Sequence, residues 1–100
     1  MEKGTPHYKL SIVKTLINLD QVQATGSAFC GARELGIYYL AGMCEVVQAL
    51  TPANFYKSMT THADHKIWQD VYHAKLINGA AVYLKLTVIE DVLIVSFKEC

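Results

Sequence analysis

A phenol and two primary amines, those of Tyr83, Lys85 and Lys98, fall on one side of the strongest β pattern in the chain. Val82, Leu84, Leu86 and Val88 alternate with Tyr83, Lys85 and Thr87, and Leu93, Val95 and Phe97 alternate with Ile94, Ser96 and Lys98. Alternation with period two marks a sheet buried on one face only. Pairing across Glu90–Asp91 sets Val88 against Leu93, Leu86 against Val95, Leu84 against Phe97 and Tyr83 against Lys98. A slip of one residue would bury Lys85 and Lys98, so the register is well specified. Ammonium groups act as point charges beside anionic oxygens, and a phenol can donate a proton. This wet face is therefore the first place to look for chemistry.

The strand before this hairpin adds to the same face. Asn78-Gly79 is the strongest turn signal in the sequence. A two-residue loop there would put His73 and Lys75 on the core side. A three-residue loop, Asn78-Gly79-Ala80, pairs Leu76 with Val82 and turns both outward, beside Tyr83 and Lys85. Burying two unpaired ionisable groups is costly, which favours the longer loop. Imidazole titrates nearest neutral pH of the side chains, so His73 is expected to support phosphate contact or proton transfer.

The elements that must position these residues follow from periodicity. Thr5-Pro6 reads as the capped start of a helix running to about Asn18, with Leu10, Val13, Leu16 and Ile17 inward. Gln21–Thr25 reads as a short extended segment. Further helices are expected at Ser27–Leu35, burying Phe29, Ala32 and Leu35, and at Ala41–Leu50, burying Met43, Val46, Val47 and Leu50. Thr51-Pro52 repeats the capped start, predicting a fourth short helix to about Met59, with Phe55 and Met59 inward and Lys57 outward. Strands then span Lys66–Ile77, Ala81–Ile89 and Val92–Lys98. The expected class is α+β: N-terminal helices packed on an antiparallel sheet formed mainly by the C-terminal half, with room for one N-terminal edge strand, as a single domain over residues 1–100.

Composition bounds the function. The chain has nine basic and nine acidic residues and zero formal net charge, with eight lysines and only Arg33 on the basic side. That balance argues mildly against nucleic acid unless lysines cluster locally. No apolar run approaches the ~20 residues of a membrane span, and Met1–Pro6 lacks a signal-peptide core. Cys30, Cys44 and Cys100 are odd in number without a CxxC spacing, which reads as reduced, cytoplasmic cysteine. His62-x-x-His65 with Asp64 falls short of a zinc ligand set, so no metal and no cofactor is expected.

Longer blocks carry a resemblance. Phe55-Tyr56-Lys57-Ser58-Met59-Thr60-Thr61, Ile67-Trp68-Gln69-Asp70-Val71-Tyr72, Val82-Tyr83-Leu84-Lys85 and Val92-Leu93-Ile94-Val95-Ser96-Phe97-Lys98, with Met1-Glu2-Lys3 and Thr5-Pro6-His7, resemble the motility quorum-sensing regulator (MqsR) toxins over nearly the whole chain. The resemblance implies a RelE-like α+β fold. It also implies metal-independent endonucleolytic cleavage of mRNA at GC-containing triplets, and an MqsA-type antitoxin partner. It places the family's active residues on Lys57, Gln69, Tyr83 and Lys98. Tyr56, His73, Lys75 and Lys85 are expected to contact the substrate around them. The chain departs from the family pattern at Gly4, Gln23 and Gly26, where arginine is expected, and in a longer turn at Asn78.

Cleaving RNA without a metal requires deprotonation of the 2′-hydroxyl, charge stabilisation on the phosphorane and protonation of the leaving oxygen. Lys57 and Lys98 suit the second task, and Tyr83 suits either proton donation or holding the phosphate. The base is open, because lysine and tyrosine ordinarily titrate near ~10; crowding of lysines would lower one of them. The straight ladder sets Gln69 opposite Ile89, about 20 Å from Tyr83, so either a bulge closes that gap or Gln69 meets a neighbouring nucleotide. The rival reading is a degenerate toxin that binds its antitoxin without cutting. A DNA-binding regulator or membrane partner is not expected, since no basic helix-turn-helix and no span are present.

Overall fold

The helical and the alternating halves of the sequence separate into two layers. The computed structural model describes all residues from Met1 to Cys100. In chain order the elements are β1 (Glu2–Lys3), α1 (Leu10–Asn18), β2 (Val22–Ala24), α2 (Gly26–Glu34), α3 (Leu40–Gln48), a single 3-10 turn (Pro52–Asn54), β3 (Phe55–Thr60), β4 (Trp68–Lys75), β5 (Ala81–Ile89) and β6 (Asp91–Glu99). One six-stranded sheet runs β1-β3-β4-β5-β6-β2, antiparallel throughout except for the β2–β6 pair. The three helices cover one face. Val13, Ile17, Ala28, Ala32, Met43 and Val47 pack there on Tyr72, Leu84, Leu86, Ile94 and Phe97. The fold is α+β, with most of the sheet drawn from the C-terminal half.

Two capped starts proved shorter than their signals. Thr5-Pro6 opens no helix, because the backbone N–H groups of His7 and Tyr8 donate instead to the Asp70 carboxylate at 3.1 and 2.9 Å. That anchor holds the segment to β4, and α1 begins only at Leu10. Thr51-Pro52 opens one 3-10 turn and stops. The Thr51 N–H donates to Asn54 Oδ1 at 2.8 Å, and Asn54 Nδ2 donates to the His73 carbonyl at 3.1 Å, which turns the chain onto the sheet. Phe55–Thr60 is therefore a strand, not the expected helix. Phe55 reaches the helix-side core, whereas Met59 pairs with Gln69 on the opposite face. On α2, Ala28 and Ala32 are buried but Phe29 is exposed, a third of a turn from its expected place.

Asp70 is fully buried, so its two charge-assisted bonds are the sole compensation for a desolvated carboxylate. Asp70→Ala leaves two N–H donors short of a partner and is expected to cost about 3 kcal/mol. Urea unfolding of the two proteins measures it, and Asp70→Asn should fall between them.

The β5–β6 hairpin keeps its ends and changes its middle. Leu84 pairs with Phe97 and Tyr83 with Lys98, as the alternation required. Nearer the turn, however, Val88 pairs with Val92 and Leu86 with Ile94, because Glu90 adopts a positive φ of 65° in a tighter turn. A bulge between the Leu86–Ile94 and Lys85–Ser96 pairs absorbs the difference at Val95. Val92, Ile94 and Phe97 are buried as a result, while Leu93 and Val95 are only partly covered. At the other turn Leu76 donates its N–H to the Ala80 carbonyl, giving the three-residue loop Ile77-Asn78-Gly79 with Gly79 at φ 88°. The count of three was right and its position was one residue late. Ala74 therefore pairs with Val82 and His73 with Tyr83, and His73 and Lys75 do point outward.

Candidate active site on the open sheet face

Cross-strand partners share a face, so the pairing alone lays out the side chains opposite the helices. One row holds Lys57, Val71, Lys85 and Ser96. The next holds His73, Tyr83 and Lys98. A second bulge, between Phe55 and Lys57, adds Tyr56 to this side, because a bulged residue leaves the strict alternation. Tyr56 stacks on the His73 ring, with centroids 4.4 Å apart and planes at 23°. His73 in turn lies 6.0 Å from the Tyr83 ring.

The amines sit among these rings. Lys98 Nζ lies 5.2 Å over the Tyr83 ring and Lys57 Nζ 5.4 Å from the Tyr56 ring, both within cation–π range. Lys57 also meets the Glu2 carboxylate at 3.5 Å. Val71 is fully buried beneath its neighbours even on this wet side. Lys85, beside it, has its pKa lowered from 10.5 by burial first, then by the charges of Lys98 and Lys57. On the helix side of β4, burial and then Asp70 push Tyr72 up to about 12. Tyr72 is a core residue and takes no part in this face.

The lowered pKa of Lys85 has a consequence for stability. Below the lowered folded value the amine is charged in both folded and unfolded chains, and the folded chain bears the whole penalty. Between the lowered folded value and 10.5 the unfolded chain still holds the proton that the folded one has released, so stability rises with pH. Lys85→Met should therefore gain most over the parent on the acid side of the lowered value, and the difference should shrink as pH approaches 10.5. Urea unfolding of both proteins across that range reads the effect.

Of the residues expected at the site, Lys57, Tyr83, Lys98, Tyr56, His73 and Lys85 come together in two adjacent rows. Gln69 shares the face in a third row, with Met59 and Glu2. The shifted turn moves it closer than the straight ladder allowed: it stands two residues from Val71 and four from His73, about 13 Å from the Tyr83 row at ~3.3 Å per residue. Lys75, opposite Ala81, lies one row beyond His73 and is exposed. His73 faces Tyr83 rather than Lys85. Glu2 was missed, because a strand of two residues has no readable period. The backbone fixes it all the same, through the Glu2–Met59 and Lys3–Ser58 pairs and the bond from Thr60 N–H to the Met1 carbonyl. No helix is long and apolar enough to cross a membrane.

Such a face, with three amines, two phenols and an imidazole over a packed sheet, can neutralise a phosphodiester, stack a base and hand over a proton. Comparison with known proteins agrees in kind. The family described as "Motility quorum-sensing regulator, toxin of MqsA" matches residues 5–99. A protein of Escherichia coli (strain K12) named "mRNA interferase toxin MqsR" is 60% identical over 99 residues, covering 99% of each chain. By sequence along its length, the chain belongs to the MqsR toxin family.

Proposed function

We propose that this chain is the toxin of a toxin–antitoxin pair and cuts messenger RNA by internal transesterification. The observation that carries the reading is the convergence of Lys57, Lys85, Lys98 and Tyr83 on one open sheet face, in a chain so similar to a named mRNA interferase. Lys57 and Lys98 hold charge against the non-bridging oxygens of the reacting phosphate. Tyr83, under the Lys98 amine, donates its proton to the departing 5′ oxygen. The Tyr56–His73 stack takes a base, and Lys75 meets a phosphate further along the strand. Gln69, two rows from Tyr83, reads the edge of a neighbouring nucleotide rather than the scissile phosphate, with amide groups suited to that purpose. The substrate is single-stranded message with GC-containing triplets. No metal is required, the partner that neutralises the toxin is an MqsA-type antitoxin, and the whole chain acts as one domain in the cytoplasm.

The absent arginines do not count against this reading. Gly4 follows β1, and Gln23 and Gly26 belong to β2 and the start of α2. None lies in the lysine rows.

The test is incubation of the purified protein with a defined message in excess chelator, followed by end-group analysis. Transesterification leaves a 2′,3′-cyclic phosphate and a free 5′-hydroxyl, and an added MqsA-type antitoxin stops it. Failure to cut, or products with 5′-phosphate ends, would refute the proposal.

A further inference from the structure

The three amines of the open face have different surroundings. Lys57 has the Glu2 carboxylate at 3.5 Å and the Tyr56 ring at 5.4 Å. Lys98 is exposed and lies 5.2 Å over the Tyr83 ring. Each of these two amines has an anion, a ring face or water beside its charge. Lys85 sits between them on β5, half-buried, with Val71 on one side and Ser96 on the other. Its amine has neither a carboxylate nor an aromatic face. The charged groups nearest it are Lys57 from β3 and Lys98 from β6, with His73 and Tyr83 in the next row and Glu2 already engaged by Lys57. Where neighbouring titratable groups have environments that push them apart, acid and base roles separate.

We propose that Lys85 is the base of the cleavage reaction, its neutral amine taking the proton of the attacking 2′-hydroxyl while Lys57 and Lys98 stay cationic on the phosphate. This rests on the RNA-cleaving reading above and supplies the one role that reading leaves empty. As the bond from O2′ to phosphorus forms, the hydroxyl proton passes to Lys85 Nζ. The bond from phosphorus to O5′ breaks, and O5′ takes the phenolic proton of Tyr83. The lysine's extra proton then returns to the phenolate through solvent, leaving a 2′,3′-cyclic phosphate and a 5′-hydroxyl. Burial together with two cationic neighbours moves Lys85 in the direction a base at neutral pH requires, and lysine shifts readily when desolvated.

Lys85→Arg tests the assignment, because arginine keeps the charge and reach but stays protonated at any working pH. The variant should bind a defined RNA within about threefold of the parent and cut it about 10²–10⁴-fold more slowly in single turnover. It should also lose the rise in rate with pH. Cleavage within about threefold of the parent overturns the inference. A second measurement needs no variant activity: in the free full-length protein, ¹³Cε shifts of the lysines are followed against pH. Lys85 should titrate below the other lysines, and titration together with them overturns the inference equally. If the unmodified protein cuts no RNA, the function itself is refuted and the base assignment falls with it. That outcome differs from a parent that cuts and an arginine variant that cuts as well.

Discussion

Gly31→Ala should unfold much of the protein's margin of stability and disturb the end of β6. Gly31 is in the middle of α2, where glycine is otherwise a poor choice. A Cβ built there would come within 2.0 Å of the Phe97 carbonyl oxygen and 3.2 Å of the Lys98 Cα. These are backbone atoms that cannot rotate away, so helix and strand must separate. Relief by separation opens gaps around Phe97, Ala28 and Ala32, all buried in this interface. The expected loss is about 3 kcal/mol or more, at the upper end for overpacked sites, against total stabilities of ~5–15 kcal/mol. Urea unfolding checks the size of the effect. Because α2 supports β6 from behind at the residue that presents Lys98, activity per folded molecule should fall too. A fully stable Gly31→Ala would mean that α2 does not rest on β6 as described.

Lys98→Ala should do the converse, leaving the fold intact and removing the chemistry. The side chain is exposed and contributes no buried contact; its Nζ has only the Tyr83 ring nearby. The unfolding midpoint should stay unchanged. In the proposed reaction this amine faces charge that grows at phosphorus, and loss of one such donor costs about 10²–10³ in rate. RNA affinity should fall much less, since Lys57, Lys75 and Lys85 remain on the face. Single-turnover cleavage of a defined RNA separates rate from binding. A variant cutting at the parent's rate removes Lys98 from the mechanism.

The legible parts of this fold are those where pattern and packing coincide. The alternation of Tyr83, Lys85 and Lys98 with apolar neighbours placed all three on the wet face, and the Tyr83–Lys98 pair holds in the structure. The middle of the same hairpin was not legible. Ile94 and Val95 are both β-branched and apolar, so nothing in their types tells which residue a bulge will set aside. The segment Phe55–Met59 misled for a physical reason: its apolar residues lie four apart, as on a helix, and follow a genuine cap at Thr51. The tie from Asn54 to the His73 carbonyl decides the matter, and it is a tertiary contact. Likewise Thr5-Pro6 has the chemistry of a helix start, but the competing acceptor, Asp70, lies more than sixty residues away. Lys57 reached the correct face through a wrong intermediate. It points outward from a strand, beside a bulge, rather than from the back of a helix.

The bulge at Val95 makes β6 a strand written in two phases. Upstream of it, even-numbered positions face the helices; downstream, odd-numbered ones do, which is how Phe97 enters the core while Lys98 stays wet. Removing Val95 without touching any other residue would let Ser96 follow Ile94 directly and rejoin the phases, with Phe97 still in the core and Lys98 still wet. Loss of the one extra residue at Val95 leaves the surface on which the chemistry stands the same way up.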